Sequence, residues 1–534
     1  MPLLTTQENI TTEKKITSEL ALVAQQQQRV SQPLQSLMIT PSFSRIQARP
    51  MLSINNTFAK MTGIEPSVVQ IRIRGVVHNS LLPWQAPSLF GAMGSGFIVK
   101  TAKGLRIITN AHVVHNYVLV QVRLSLKAEW YNARVEIEGH ECDLAMLSVE
   151  APTFWQQAKP LEIGEIPGLN ENINVVGFPM GGTEMTVTKG ITSRWEFNVQ
   201  AHGGAELLNV QIDASINSGN SGGPVIINHQ VVGVAHQKNP YGEGQGYMIP
   251  ATTLKHFIKQ AEAGPEHYKG FPYFPITLQP MVHSALRSHY GLKTGQSGVL
   301  ISEIKANTTV ATVLEKNDIL LSIDNCPINN DGTVIWHDRR VSYMQLIHEH
   351  FVGEKISLKV LRNKEEKNLE LILEEGLHQR VKKQMKEGGG APSYYICSGL
   401  VLQELTWHYW RSLFNQSGQL ALDLLANLVA DKTLIVLGRV LPSCTTEGYE
   451  HLFGLIIKEI NGKKINCLKE AIDALEGNTE DEHLFLLQNN LPLPIKNLKD
   501  PVAQQEMLDK YSIPCDRSQD LKPKSPIERL RSRL

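Results

Sequence analysis

Ser221 sits in Asn217-Ser218-Gly219-Asn220-Ser221-Gly222-Gly223-Pro224, a run whose glycines let the chain turn sharply and come close to a substrate. A serine on such a turn can act as a nucleophile. The backbone N–H groups of Gly219 and Ser221 can converge there to stabilise an oxyanion. A plain Ser/Gly turn would look the same, so the company the segment keeps decides its meaning. His112 lies in Thr109-Asn110-Ala111-His112-Val113-Val114, after the apolar run Arg106-Ile107-Ile108, which puts an imidazole at a strand end. Asp143 opens the apolar segment Asp143-Leu144-Ala145. A lone histidine more often serves a core and a lone aspartate more often caps a turn. The order His, Asp, Ser, with gaps of 31 and 78 residues inside one stretch of uniform texture, points instead to nucleophilic hydrolysis.

That stretch, from Val68 to Pro250, consists of short apolar runs separated by Gly, Pro and Asn. Tyr117 to Leu124 alternates, with Val118, Val120, Val122 and Leu124 on one face. Many short strands at this spacing predict an antiparallel barrel or sandwich. Ala251 to Ala263 predicts a helix with Leu254, Phe257 and Ile258 on its apolar side. A second module runs from Gly270 to Glu375 and a third from Pro392 to Pro494, joined near Gly388-Gly389-Gly390. Both contain a strand followed by a tight turn at like positions (residues 318–324 and 453–462), which suggests a divergent repeat. Residues 1–64 are polar and read as a flexible arm with a short helix near Ser18 to Val30. The last residues read as a tail.

Composition sets the exclusions. Lys+Arg and Asp+Glu each number 52 in 534 residues, so no net charge draws the chain to nucleic acid. Six scattered cysteines give neither a disulfide scaffold nor metal-ligand spacing. No Gly-x-x-x-x-Gly-Lys-[Ser/Thr] loop suggests nucleotide use. The most apolar later stretch, Leu420 to Leu441, is broken by Asp423, Asn427, Asp431 and Lys432, which argues against a membrane span. The N-terminal residues lack the apolar core of a secretory signal, and a cytoplasmic location is expected. Neither a cofactor nor a metal is expected.

The long motifs GSGF (94–97), TNAHVV (109–114), GHECDLAML (139–147), VVGFPMGG (175–182), VTKGITSR (187–194), QIDASINSGNSGGPV (211–225) and GYMIP (246–250) resemble the HtrA/DegP serine proteases. The resemblance is to the plant-type Deg branch with two PDZ-like modules, and it continues through NDGTV (330–334), PSYYICSGLV (392–401) and KYSIPCDRSQDL (510–521). It implies a mainly β fold: a chymotrypsin-like double β-barrel over residues 65–264, then PDZ-like α+β domains over 268–378 and 392–495. Residues 1–64 would be the arm, 379–391 a linker and 496–534 the tail. By the same resemblance Ser221 is the nucleophile, His112 the general base and then acid, and Asp143 the group that orients the imidazole. Gly219, Asn220 and Ser221 would form the oxyanion hole.

Other positions follow from comparison with the family pattern. Asn220 stands where digestive trypsin-like enzymes have the aspartate that pairs with a newly cut N-terminus, so no zymogen cleavage is expected. Ser215, where those enzymes have the aspartate that holds Lys or Arg, and Ile216 beside it predict a pocket for small or medium apolar side chains. His236 and Gln245 are assigned to the same pocket, and Asp213 reads as structural. PDZ peptide-binding loops are assigned to Phe274-Pro275-Ile276 and Ser398-Gly399-Leu400. In the first of these, Pro275 lacks an N–H for a peptide carboxylate, so that module is expected to dock on the protease domain or on a neighbouring subunit. Leu82-Pro83-Trp84 is expected either at a subunit contact or in local core. The resemblance implies homo-oligomers (trimers or hexamers) acting on unfolded or damaged proteins and peptides. The competing expectation is a chaperone-like scaffold that keeps a protease shell of low activity.

Overall fold

This computed structural model describes residues 63–522 except 126, 180–181, 200–201, 203–204, 239–244, 307, 377–389 and 418–432. The expected helix near Ser18 to Val30 and nearly all of the 379–391 linker lie outside the described residues. Six antiparallel strands form a first closed barrel: β1 (Val68–Val77), β2 (Ser88–Thr101), β3 (Gly104–Thr109), β4 (Tyr117–Leu124), β5 (Tyr131–Gly139) and β6 (Leu144–Val149), in the order β1-β2-β3-β6-β5-β4. The alternating β-branched residues Val69, Ile71, Ile73, Val120 and Val122 fill its interior with Phe154, as a pleated strand with one buried face requires. Val118 departs from the expected face and is 57% exposed. β4 pairs with β1 as far as Tyr117, but the register shifts between Arg74 and Gly75, so Val118 is the extra residue of a bulge and leaves the buried face.

The second barrel follows with β7 (Glu162–Ile163), β8 (Asn172–Gly177), β9 (Thr186–Val199), β10 (Glu206–Ile212), β11 (Pro224–Ile227), β12 (Gln230–Lys238) and β13 (Gly246–Pro250). It closes because β11 pairs with both β8 and β12, while β7 adds to β12 in parallel. Phe97 and Ile108 of the first barrel share one buried cluster with Val176, Val234 and Ile249 of the second. The helix Ala251–Ala261 seals it with Leu254, Phe257 and Ile258, the face expected from its periodicity.

The first of the two later modules is a sheet built from Ile276–Gln279, Val299–Ile304, Ile319–Ile323, Lys355–Arg362 and Glu365–Ile372. Its core is continuous with the second barrel: Leu208, Trp195 and Phe197 pack into it, and Trp195 meets Trp336 edge-on at 5.6 Å. The final module orders its strands Tyr394–Cys397, Leu400–Glu404, Ile435–Val440, Leu455–Ile460, Glu482–Leu487 and Pro492–Lys496. The expected tail differs from its prediction. Residues 501–510 form a helix capped by Asp500, and Met507, Leu508 and Ile513 are buried against Tyr394, Ile396 and Val401. Trp84 packs on Tyr394 at 6.2 Å, which puts the Leu82-Pro83-Trp84 segment in contact with this module.

Candidate active site

The three expected residues come from the ends of strands in both barrels. His112 stands on the single helical turn Ala111–Val114 directly after β3, Asp143 just before β6, and Ser221 just before β11. Asp143 is fully buried and holds φ of +53°, a strained setting that its neighbours fix. Asn110 Nδ2 donates to its backbone carbonyl at 2.9 Å. The carboxylate binds His112 twice: the His112 backbone N–H donates to Oδ1 at 2.8 Å, and Nδ1 lies 2.6 Å from Oδ2. Burial alone would raise the Asp143 pKa, but the facing His112 charge and hydrogen bond outweigh it and hold the carboxyl well below its usual range. For His112 burial lowers the pKa, Asp143 outweighs that, and the net shift is upward.

Ser221 directly follows Asn220, the residue shared by two tight turns. The Asn220 N–H donates to Asn217 O at 2.9 Å across Gly219 (φ +100°), and the Gly223 N–H donates to Asn220 O at 2.9 Å across Gly222 (φ +83°). Both glycines sit in the third position of their turns, where a left-handed φ is needed. A side chain at Gly222 would also collide with Thr109 Oγ1 and Ser95 O. The same bonding corrects one expectation. The Asn220 amide is committed to Asn217, so of the three expected oxyanion donors only those of Gly219 and Ser221 remain.

Ser95, in the GSGF motif of β2, fastens this turn: it is fully buried, and its Oγ donates to Gly219 O at 2.7 Å while its N–H donates to Ser221 O at 2.9 Å. Its role went unseen in the sequence, where the motif carried only resemblance.

His236 also departs from its assignment. It does not line a substrate pocket: it is buried, and its Nδ1 lies 2.7 Å from Asp143 Oδ2, outside hydrogen-bonding angle. The Ser221 hydroxyl donates to the His236 carbonyl at 3.2 Å, and no hydrogen bond joins it to His112 among the described residues. Ser215 is exposed, while Ile216 is buried against Gly246, where a Cβ would meet Ile216 Cδ1 at 2.8 Å. Gln245 is half-buried one residue earlier. Asp213 Oδ1 accepts the Ile191 N–H at 2.6 Å, in keeping with a structural part.

Beside His112 lies a cavity of about 400 Å³ lined by His78, His112, His115, His202, His408 and Arg411. The last two belong to the helix Trp407–Gln416 of the final module, whose Arg411 Nη1 donates to His202 O at 3.1 Å. Arg411 is near enough to oppose the protonation of His112. Among the described residues, two sets of side chains have the spacing to hold a metal ion, His115 with His140 and His202, and His112 with Asp143 and His236.

Residues 94–234 match a trypsin-like peptidase domain, and residues 285–373 and 381–520 each match a PDZ domain. Over 478 residues the chain is 33% identical to "Protease Do-like 4, mitochondrial" of Arabidopsis thaliana, with 88% of each chain covered. The chain belongs to the Do-like (HtrA/Deg) family of serine proteases. "Protease Do-like 2, chloroplastic" from the same plant is 31% identical over 467 residues, which span 85% of this chain and 75% of that one. The solved HtrA-type protease AlgW with a tripeptide overlays with a TM-score of 0.47 at 22% identity, covering 60% of this chain and 97% of that one. Among the described residues of the protease, no helix is long and apolar enough to cross a membrane.

The second PDZ domain of this Do-like protease overturns a further assignment. Ser398 (φ +48°) and Gly399 (φ +89°) form a two-residue hairpin turn, with Cys397 paired to Leu400. The strand Leu400–Glu404 is flanked by Tyr394–Cys397 on one side and Ile435–Val440 on the other. No edge remains there for a peptide to join. Beyond Tyr394–Cys397 the chain's own later segment continues the pairing, since the Ile396 N–H donates to Asp516 O at 2.7 Å and the Ser518 N–H to Tyr394 O at 3.0 Å. In the first PDZ domain, among the described residues, the strand Ile276–Gln279 pairs with Val299–Ile304 alone and keeps one edge; Thr277 and Gln279 are exposed. There Phe274 is buried, the Ile276 N–H is used by Phe274 O at 2.9 Å, and Pro275 has none to offer.

Proposed function

We propose that this protease is an ATP-independent endopeptidase acting on unfolded or damaged proteins through a Ser221 acyl-enzyme. The single observation that carries the reading is the doubly anchored His112–Asp143 pair. It fixes the imidazole with Nδ1 toward the carboxylate and leaves Nε2 as the proton acceptor. Ser221 Oγ attacks the peptide carbonyl as its proton passes to His112 Nε2, and the Gly219 and Ser221 amides stabilise the oxyanion. The leaving amine then takes that proton, and water repeats the sequence to release the acid. Ser221 reaches His112 by rotating about its Cα–Cβ bond away from His236 O, a tightening typical of substrate binding. Casein digestion by the wild type and by Ser221→Ala tests the reading.

One observation favours the second reading, a chaperone-like scaffold of low activity: the Ser221 hydroxyl is bonded to His236 O. Casein that is bound and never cut, across temperature and pH, would support it.

The proton step gives a pH dependence with a definite sign. His112 must be neutral to accept the proton, and its pKa is raised, so the acid limb of kcat/KM should lie above the ordinary imidazole value of about 6.5. Arg411 pulls the other way. Arg411→Ala should therefore move the limb to still higher pH while the alkaline plateau changes little. A limb at or below the wild-type position in that variant would refute the coupling.

For the first PDZ domain, an open strand edge without carboxylate donors suits extended internal segments of a substrate rather than free C-termini. Titration of the full-length Ser221→Ala chain with one extended peptide, as free acid and as C-terminal amide, should give similar affinities. Binding more than about tenfold tighter for the free acid, a difference of about 1.4 kcal/mol, would show a carboxylate cradle after all. Exposed Ser215 and buried Ile216 support a preference for small or medium apolar side chains at the scissile bond. A trimer or hexamer and a cytoplasmic location remain the expectations from sequence, and fractionation that finds the chain in the mitochondria or chloroplasts named for its relatives would overturn the second.

A further inference from the structure

We infer that His115, His140 and His202, with Glu138 as an oxygen donor, form a binding site for a transition-metal ion of the Zn²⁺ class beside the proposed catalytic histidine. The three imidazoles come from separate elements: the residue ending the Ala111–Val114 turn, the residue after β5, and the connection between β9 and β10. Their ring centroids are mutually 5.1 Å apart, and one nitrogen from each falls within 4.8 Å of the others. Tetrahedral Zn²⁺ at ordinary bond lengths needs donors about 3.3 Å apart, a contraction within reach of small side-chain rotations. His140 Nδ1 and His202 Nε2 are already 2.8 Å apart.

A second, independent observation points to a missing ligand. His115 Nδ1 and Glu138 Oε2 are both buried from solvent and neither makes a hydrogen bond, although they lie only 3.7 Å apart. The same carboxylate oxygen is 3.5 Å from His140 Nε2. A buried acceptor and a buried imidazole nitrogen left without partners are costly, and a shared cation would satisfy both. Three imidazoles and one carboxylate form a borderline donor set that suits Zn²⁺ and disfavours Ca²⁺ or Mg²⁺, which seek oxygen. The ion would also tie down His202, the residue through which Arg411 of the second PDZ domain grips the protease domain.

The test uses the full-length Ser221→Ala chain, stripped with a chelator and titrated with Zn²⁺ and with Co²⁺. The inference expects one saturable equivalent, a visible Co²⁺ spectrum of a four- or five-coordinate site, and a raised Tm in excess metal. His140→Ala and His202→Ala should each weaken binding by about 100-fold or more. His115→Ala, at a less buried ligand, gives the same test with less risk to folding, and circular dichroism checks each variant. His112→Ala should leave affinity within about threefold, since it belongs to the other cluster. Absence of saturable Zn²⁺ binding would overturn the inference. So would binding that survives loss of His115 in a folded variant, or that disappears with His112, which would place the ion on His112, Asp143 and His236 instead.

Discussion

Ser221→Ala is expected to lower turnover of an unfolded protein by about 10⁴–10⁶-fold while leaving the fold intact. The size of the loss follows from the covalent role: without Oγ no acyl-enzyme forms, and only oxyanion stabilisation and binding survive. The intact fold follows from how little the hydroxyl does structurally. Its one hydrogen bond among the described residues is the 3.2 Å contact to His236 O, and deleting such a bond costs about 1 kcal/mol. The turn is held instead by Ser95 and by the two bonds across Gly219 and Gly222. Casein cleavage alongside a thermal unfolding curve separates these effects. Cleavage within tenfold of wild type would end the case for Ser221 as nucleophile.

Asp143→Asn should cost about 10⁴-fold in kcat at neutral pH. An amide keeps the volume but cannot accept at both oxygens, and an NH₂ facing His112 Nδ1 selects the tautomer whose Nε2 carries a proton and so cannot take one from Ser221. The two single losses should not add, and Ser221→Ala/Asp143→Asn should be no slower than Ser221→Ala. A double variant slower by the product of the two would show that they act separately. The substitution has a stability signature as well. The folded pKa of Asp143 lies below the unfolded value of about 3.9, so its contribution is fully present at neutral pH and is lost only as strong acid protonates it.

What was legible in the sequence was what local spacing dictates. The glycine pattern around Ser221 encodes its own turns, and the alternation in β4 encodes a one-sided strand up to the bulge at Val118. His236 was misplaced because its contact with Asp143 is made between residues 93 apart in the chain, and nothing near His236 announces it. Ser398-Gly399 was read as a loop for carboxylates because glycine after serine serves either use. The choice was made by the aromatic strand Tyr394–Cys397, which folds back in register. The histidines at 115, 140 and 202 fit no ligand spacing, since barrel closure and not sequence distance brings them together.

The self-paired edge of the second PDZ domain carries a kinetic and thermodynamic consequence. A strand joined through a two-residue turn presents itself to its partner at an effective concentration on the order of millimolar or above. A free peptide of equal intrinsic affinity must reach that concentration merely to compete on even terms, and the later residues 513–518 would have to leave as well. That strand is therefore shielded from peptides in solution. On the proposed reading the domain's helix Trp407–Gln416 keeps the Arg411–His202 contact beside His112 whether or not peptide is plentiful, and the response to supply falls to the first PDZ domain.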